Sequence, residues 1–347
     1  MKARYEKMKK LLALILAACM VLAMCACGAQ TASTATAAPT ATPAATEEPT
    51  TVRVGAMTGP TAMGMVKLMS DSDAGKTANT YKFTLDSGAT TFVSAIAKGE
   101  LDMAAVPSNV AATIYNNTKG AVQVMAVNTL GVLYIVERGS TVQSLADLKG
   151  KTVYATGQGA VPEYALRYLL KQSGLDPDKD VTIQWCADTT EALSYISKDA
   201  AAVAMLPQPF VTVAQTKVKD LRVAVDLNAE WQKLKNGSEL VTGVVIVRKD
   251  FADKYPQQTA KFLEEYKASI EYTQTNAADA AQLIAGYKIV PAAAVAEKAL
   301  PNCNITFLAG ADMQTALQGF YKILFAENPQ SIGGAEPDAA FYYGAQA

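Results

Sequence analysis

Short apolar runs alternate with helical periodicity along most of this chain. Residues 52–56 (VRVGA) alternate like a strand, 58–61 (TGPT) form a turn, and 62–70 have helical spacing. The unit recurs. Residues 81–85 (YKFTL) predict a strand, and 91–98 a helix with Phe92, Val93 and Ile96 on one face. Residues 101–106 predict a buried strand. Pro107-Ser108-Asn109 opens another helix, with Ser108 as its natural N-cap, and 121–127 returns to strand. After residues 131–140 the pattern restarts. A strand at 151–155, the loop Thr156-Gly157-Gln158-Gly159 and a helix to about 173 are followed by strands at 181–185, 201–206 and 221–225, with helices between them. Residues 239–248 predict a strand that crosses back, and the chain from 252 onward is largely helical. Strands alternating with helices imply an α/β fold of mainly parallel sheets flanked by helices.

The 347 residues exceed the about 250 at which a single core stops growing, so two lobes are expected. Lys2, Arg4, Lys7, Lys9 and Lys10 precede the apolar run LLALILAACMVLAMCA, the order of an exported signal. That run is shorter than the about 20 residues that span a bilayer, which predicts cleavage. Cys19, Cys25 and Cys27 crowd its end and resemble a bacterial lipobox. Cys27, following Ala26 where the polar tail begins, is the expected lipidated residue, and Cys19 is the alternative. Residues 27–51 are mainly Ala, Thr and Pro with nothing large to bury, and read as a flexible tether.

Composition removes several chemistries. The chain has no histidine, which takes away the commonest general base and nitrogen metal ligand; no metal and no cofactor is expected. Cys186 and Cys303 stand alone in the body and read as small buried apolar residues, not a disulfide framework. Removing the segment ahead of Cys27 takes away five basic residues and one acidic, leaving 26 against 31, a balance of −5 that disfavours nucleic acid.

Candidate contacts follow from the rule that an open α/β sheet binds ligand beyond the C-terminal ends of its strands, where helix N-termini offer free N–H groups. They are Thr58, Gly59 and Thr61; Ser108 and Asn109; Gln158 and Gly159; and Leu206, Pro207 and Gln208 from the far wall. Asn128, Thr129 and Thr242 fall where strands cross, as ligand contacts or as hinge. Thr58–Thr61 also fits a plain tight turn, and Ser108 a cap with no further role. Gly157-Gln158-Gly159 is half of a dinucleotide fingerprint, with Pro162 where the third glycine belongs, so no nucleotide site is expected. Glu100 and Asp102 read as a solvated pair at a strand start. Tyr115, Tyr134, Tyr164 and Trp185 are of the kind that sandwich a flat heterocycle, Tyr164 foremost. No Lys or Arg falls in these loops, which favours a neutral, zwitterionic or singly charged ligand.

Four stretches together resemble the type II periplasmic solute-binding proteins, in the nitrate, sulfonate and thiamine-precursor group. They are VRVGAMTGPTAMG (52–64), AIAKGELDMAAVPSN (95–109), SLADLKGKTVYATGQGAVPEYALRYLLKQSGLDPDKDVTI (144–183) and AVAMLPQPFVTVA (202–214), in a resemblance covering about residues 52–330. It implies a two-lobed clamp joined by two crossover strands. One lobe would comprise residues 52–130 and 246–347, the other 131–245, after a signal peptide at 1–26 and the tether at 27–51. It also implies a monomer that holds a sulfonate, a pyrimidine or thiamine precursor or a similar small molecule and hands it to an ABC permease. The protein would sit on the extracytoplasmic face of the membrane, lipid-anchored. A ligand-sensing subunit for a membrane receptor is the alternative. Enzymes on this architecture, in the menaquinone and thiamine-pyrimidine pathways, are cytoplasmic, and the pyrimidine synthases depend on histidine and clustered cysteines, so an enzyme is not expected.

Overall fold

The computed structural model describes residues 51–344; the signal, the tether up to residue 50 and both candidate lipidation sites, Cys27 and Cys19, lie outside the described residues. Strand β1 (Thr51–Met57) leads through two short helices, α1 (Pro60–Met63) and α2 (Val66–Asp73), to β2 (Thr80–Asp86), α3 (Ala89–Ala97), β3 (Met103–Pro107), α4 (Ser108–Asn117) and β4 (Val122–Thr129). A second group follows: β5 (Leu133–Glu137), β6 (Thr152–Ala155), α5 (Val161–Gln172), β7 (Thr182–Trp185), α6 (Thr189–Lys198), β8 (Val203–Pro207), α7 (Phe210–Lys217), β9 (Arg222–Asp226) and α8 (Leu227–Lys233). The chain then returns through β10 (Gly243–Arg248) to α9 (Lys249–Lys254), α10 (Pro256–Thr275), α11 (Ala277–Gly286), α12 (Ala293–Ala299), β11 (Ile305–Leu308) and α13 (Gly310–Glu327). The helix expected over 62–70 is two helices. Gly64 lies at the break, where an added Cβ would sit 3.0 Å from Ile270 and 3.1 Å from Ile305. Among the described residues no helix is long and apolar enough to cross a membrane.

The strands form a six-stranded sheet, β11-β4-β10-β3-β1-β2, and a five-stranded sheet, β7-β6-β8-β5-β9. Each has a parallel core, β2-β1-β3 in the first and β7-β6-β8 in the second. Antiparallel strands flank both cores, so the sheets are mixed. The crossings cause this. β4 ends at Thr129 on the same edge as the end of β3, and β5 enters the second sheet opposite the end of β8, with Leu133 paired to Pro207. On the return, β10 enters opposite the end of β3, with Gly243 paired to Pro107. A strand entering at the edge where its neighbours finish must run against them.

β3 is buried on both faces for four residues, as its continuous apolar run requires. One apolar cluster packs α2, α10 and α11 on the outer face of the first sheet, and another packs α6 and α7 on the second. The largest cluster is shared, running from Phe92, Val106 and Val124 of the first half through Phe320 and Leu324 of α13 to Trp231, Leu169 and Val153 of the second.

Two buried carboxylates are held by arginines. Asp102 is 2% exposed and accepts from Arg53 N–H at 2.9 Å, Nε at 2.8 Å and Nη2 at 2.5 Å. It is therefore no member of a solvated pair: the strand start places Asp102 inward and Glu100 outward. Glu137 is also 2% exposed and accepts from Val142 N–H at 3.0 Å, from the Thr141 hydroxyl at 2.8 Å and from Arg222. Burial pushes its carboxyl up, but these hydrogen bonds and the guanidinium outweigh burial and hold the group below the usual carboxylate range.

Two outcomes test these assignments. Asp102→Ala should cost about 2 kcal/mol in urea unfolding, because it removes the acceptor of the Arg53 N–H and of a guanidinium that stays partly solvated, whereas Glu100→Ala should stay within about 0.5 kcal/mol. For Glu137, the unfolded chain takes up its proton near the ordinary value of about 4.3 and the folded chain only at lower pH. Its stabilisation is thus complete above the ordinary value and lost as pH falls through the depressed one. Glu137→Gln should melt lower at neutral pH and lose less on acidification, read from melting temperatures at stepwise lower pH.

Candidate functional site

Because both crossings occur at one edge, the C-terminal ends of the parallel strands in both sheets face a common cleft of about 590 Å³. The first half contributes Met57, Thr58, Gly59, Pro60 and Thr61, the loop Ser87–Thr90 and Pro107. The second contributes Thr156, Gly157 and Gln158, Ala160–Pro162, Ala187–Thr189, Pro207, Gln208 and Phe210. Val132, Leu133 and Thr242 come from the crossing segments. A more open groove of about 780 Å³, beside Lys98, Lys119 and Arg248, lies at the other ends of β3, β4 and β10, away from the edge that α/β sheets use for ligands.

Of the residues singled out from sequence, Thr58, Gly59, Thr61, Gln158, Pro207, Gln208 and Thr242 line the cleft. Thr61 Oγ1 donates to Met57 O at 2.6 Å, and Gly59 takes φ +126°, a conformation that excludes a side chain there. Gln208 is nearly buried, and its Oε1 accepts from the Thr212 N–H at 3.3 Å and hydroxyl at 2.9 Å. That leaves its amide NH₂ without a protein acceptor among the described residues. Thr242 donates its N–H to Thr129 O at 3.0 Å and accepts from Ser108 N–H at 3.1 Å. Its hydroxyl is buried with no hydrogen-bond partner among the described residues.

The remaining candidates lie elsewhere. Ser108 is the first residue of α4 and not its cap. Its hydroxyl donates to Val241 O at 2.6 Å, because the returning chain runs beside it. Asn109 is 2% exposed and reaches across to the second half, where Gly159 O accepts from it at 3.1 Å. Asn128 and Thr129 are buried behind the cleft wall. Asn128 Oδ1 accepts from Thr129 Oγ1 at 3.0 Å, and a Cβ on Gly243 would meet both Asn128 Oδ1 at 2.6 Å and Thr61 Cγ2 at 2.7 Å. Leu206 is core.

The aromatic residues singled out from sequence are not among those that line the cleft. Tyr164 packs half-buried on α5, where burial, then Glu163, pushes its hydroxyl up. Tyr115 packs at a tilt against Phe341, ring centroids 4.9 Å apart, and donates to Asp338, while Tyr134 donates to Asn302 O at 3.0 Å. Trp185 packs against the shared core. Phe210 is the ring at the cleft. It escaped the sequence reading because it follows Gln208-Pro209 as an ordinary first helical residue. The loop Ser87–Thr90 was also missed, although the same strand–loop–helix logic that selected Thr58 applies to it.

Helix N-termini meet the cleft from both sides, and their free N–H groups are not equally available. α6 is capped by Asp188, which accepts from Glu191 N–H at 2.9 Å. At α5, the Val161 N–H is taken by Asn109 Oδ1 at 3.1 Å. α3 begins at Ala89 with no side-chain cap; its preceding Gly88 donates to Asp86 Oδ1 at 2.7 Å. The lining holds no Lys or Arg, and Asp188 is its one charged residue. What the cleft offers is a set of neutral donors among small polar and apolar side chains, with the carboxylate of Asp188 engaged at the start of α6.

The comparisons agree with this geometry. The profile of the family described as ABC transporter, phosphonate, periplasmic substrate-binding protein matches residues 76–293. Among solved structures, an ABC transporter protein from Parabacteroides distasonis is similar at 22% identity and TM-score 0.71, over 84% of this chain and 98% of that one. The periplasmic aliphatic sulphonate binding protein of Escherichia coli is similar at 17% identity and TM-score 0.66, over 83% and 91%. The alkanesulfonate-binding protein of Xanthomonas axonopodis pv. citri, bound to MOPS, is similar at 16% identity and TM-score 0.63, over 81% and 94%. Identities this low speak for the fold. No curated protein sequence matches the chain. The extent of the profile match settles the family: this chain belongs to the periplasmic substrate-binding proteins of phosphonate-type ABC transporters.

Proposed function

We propose that this protein captures a small solute with a singly charged, sulfonate-like head and a short apolar body in the interlobe cleft, and delivers it to an ABC permease. In this reading residues 52–130 and 246–347 form one lobe of the clamp and 131–245 the other, the boundary falling within β10, whose residues 243–245 pair in the first sheet. A lipid on Cys27, with Cys19 as alternative, holds the monomeric protein to the outer face of the membrane, and residues 27–51 give it reach.

The observation that carries the reading is an uncapped helix N-terminus, that of α3, in a cleft without a cation. Free N–H groups and the helix dipole suit one negative charge. A second charge, desolvated with no Lys or Arg to pair it, is costly. The Thr242 hydroxyl and the Gln208 amide supply further hydrogen bonds, while Met57, Leu133 and Phe210 suit an alkyl chain. The sulfonate-binding neighbours from E. coli and Xanthomonas support this head group, whereas a flat pyrimidine would meet one ring, Phe210, and no facing partner.

The test is a thermal-shift series at matched chain length, comparing alkanesulfonates with alkylphosphonates, pyrimidines and nitrate at alkaline pH, where phosphonates are doubly charged. A ligand at a hundred times its dissociation constant adds about 2.7 kcal/mol of stability, so a specific binder is plain to see. Sulfonates should shift the melt and doubly charged phosphonates should not. Tighter binding of the phosphonates would overturn the neutral-donor reading, and a flat series would remove the capture reading.

Thr242→Val sharpens the test. It replaces an unpartnered buried hydroxyl with a methyl, so stability without ligand should change by less than about 0.5 kcal/mol. Affinity for the bound sulfonate should fall about tenfold, as titration calorimetry would read.

A further inference from the structure

Asn109 stands at the beginning of α4, 2% exposed, and one carboxamide uses all its donors. Its Oδ1 accepts from Val161 N–H at 3.1 Å, and its Nδ2 donates to Gly159 O and to Ser331 O, each at 3.1 Å. Gly159 and Val161 belong to the loop and first helical residue after β6, in the second half. Ser331 lies in the single turn Pro329–Ile332 that follows α13. Ala160 brings no side-chain cap to α5. The cap of a second-half helix is therefore supplied by a side chain of the first.

The third bond gives the arrangement its asymmetry. The C-terminal segment is fastened to the first half: Asn116 Nδ2 donates to Ile332 O at 2.6 Å and Ala335 O at 2.7 Å, Tyr115 donates to Asp338, and Tyr343 N–H donates to Val124 O at 2.9 Å. Ser331 thus moves with α4. If the halves part, Asn109 loses Val161 and Gly159 but keeps Ser331, so its side chain stays aimed at the partners it will meet again. Ser331 lies beyond the 76–293 span of the family profile.

We propose that Asn109 is the latch that holds the two halves closed over the cleft, a positioning residue that sets solute affinity without touching solute. The proposal rests on the clamp reading. Another tie across the halves, the ion pair between Lys171 and Glu327, is partly exposed, and such pairs contribute little. Asn109 is buried, where a lost partner is felt in full.

The experiment uses the purified protein with no solute added, so its outcome is independent of whether any sulfonate binds. Amide hydrogen exchange and small-angle X-ray scattering are compared for the parent, Asn109→Ala, Asn109→Asp and Lys171→Ala. Asn109→Ala should speed exchange at the Val161 amide about tenfold, leave β3 and β8 protected as before, and raise the radius of gyration. Asn109→Asp keeps the acceptor for Val161 but sets a carboxylate oxygen against the Gly159 and Ser331 carbonyls in place of two donors, so it should raise the radius of gyration as Asn109→Ala does, and Lys171→Ala should match the parent. The proposal is overturned if Asn109→Ala leaves both readouts unchanged, or if all protected amides accelerate together, the mark of a merely structural residue. An Asp variant as compact as the parent overturns it as well, because the two donor bonds of Nδ2 would then hold nothing closed.

Discussion

Everything that makes a binding site here depends on one constraint: the chain passes between its two sheets twice, both times at the same edge. The strands on either side of the first crossing, β4 and β5, and those on either side of the second, β9 and β10, all end or begin there. The parallel core strands of both sheets must then finish at that edge, and the helices that follow them must start there. The antiparallel neighbours β5 and β10 are the geometric consequence. A cleft bordered from both sides by helix N-termini is the functional one.

Charge is distributed in keeping with this. The buried carboxylates Asp102 and Glu137 lie away from the cleft, each locked to an arginine and to backbone or hydroxyl donors. At the cleft itself the donors are neutral. The N-termini of α5 and α6 are engaged by Asn109 and Asp188, whereas α3 has no side-chain cap. Polarity in the site comes from which helix starts are already satisfied, a property of three-dimensional pairing.

α13 and the segment behind it join the halves in another way. Phe320 lies 5.5 Å from Trp231 of α8, within an apolar cluster that continues from one sheet to the other. In the proposed clamp that cluster is the pivot, and the polar contacts at the cleft side, above all those of Asn109, tie one half to the other.

Much of this was legible in the residues. Alternation of strand and helix patterns, the restart after residue 140 and the glycine-marked loops specify an α/β chain in two groups, and the edge rule then points to Thr58, Gly59, Gln158 and Gln208, because local periodicity and turn chemistry act over a few residues at a time. The candidates that moved did so for reasons no local pattern contains. Ser108 lost its role as cap to the backbone of Val241, 133 residues away. Asn109 turned from solute to the opposite half, and Tyr115, Tyr134 and Tyr164 went into packing. Asp102 went inward because Arg53 lies on the neighbouring strand. The sequence by itself determined which elements form and which edge carries the loops. Only the tertiary structure decided which polar groups at that edge are already satisfied, because hydrogen-bond capacity is used up by partners that are distant along the chain and adjacent in space.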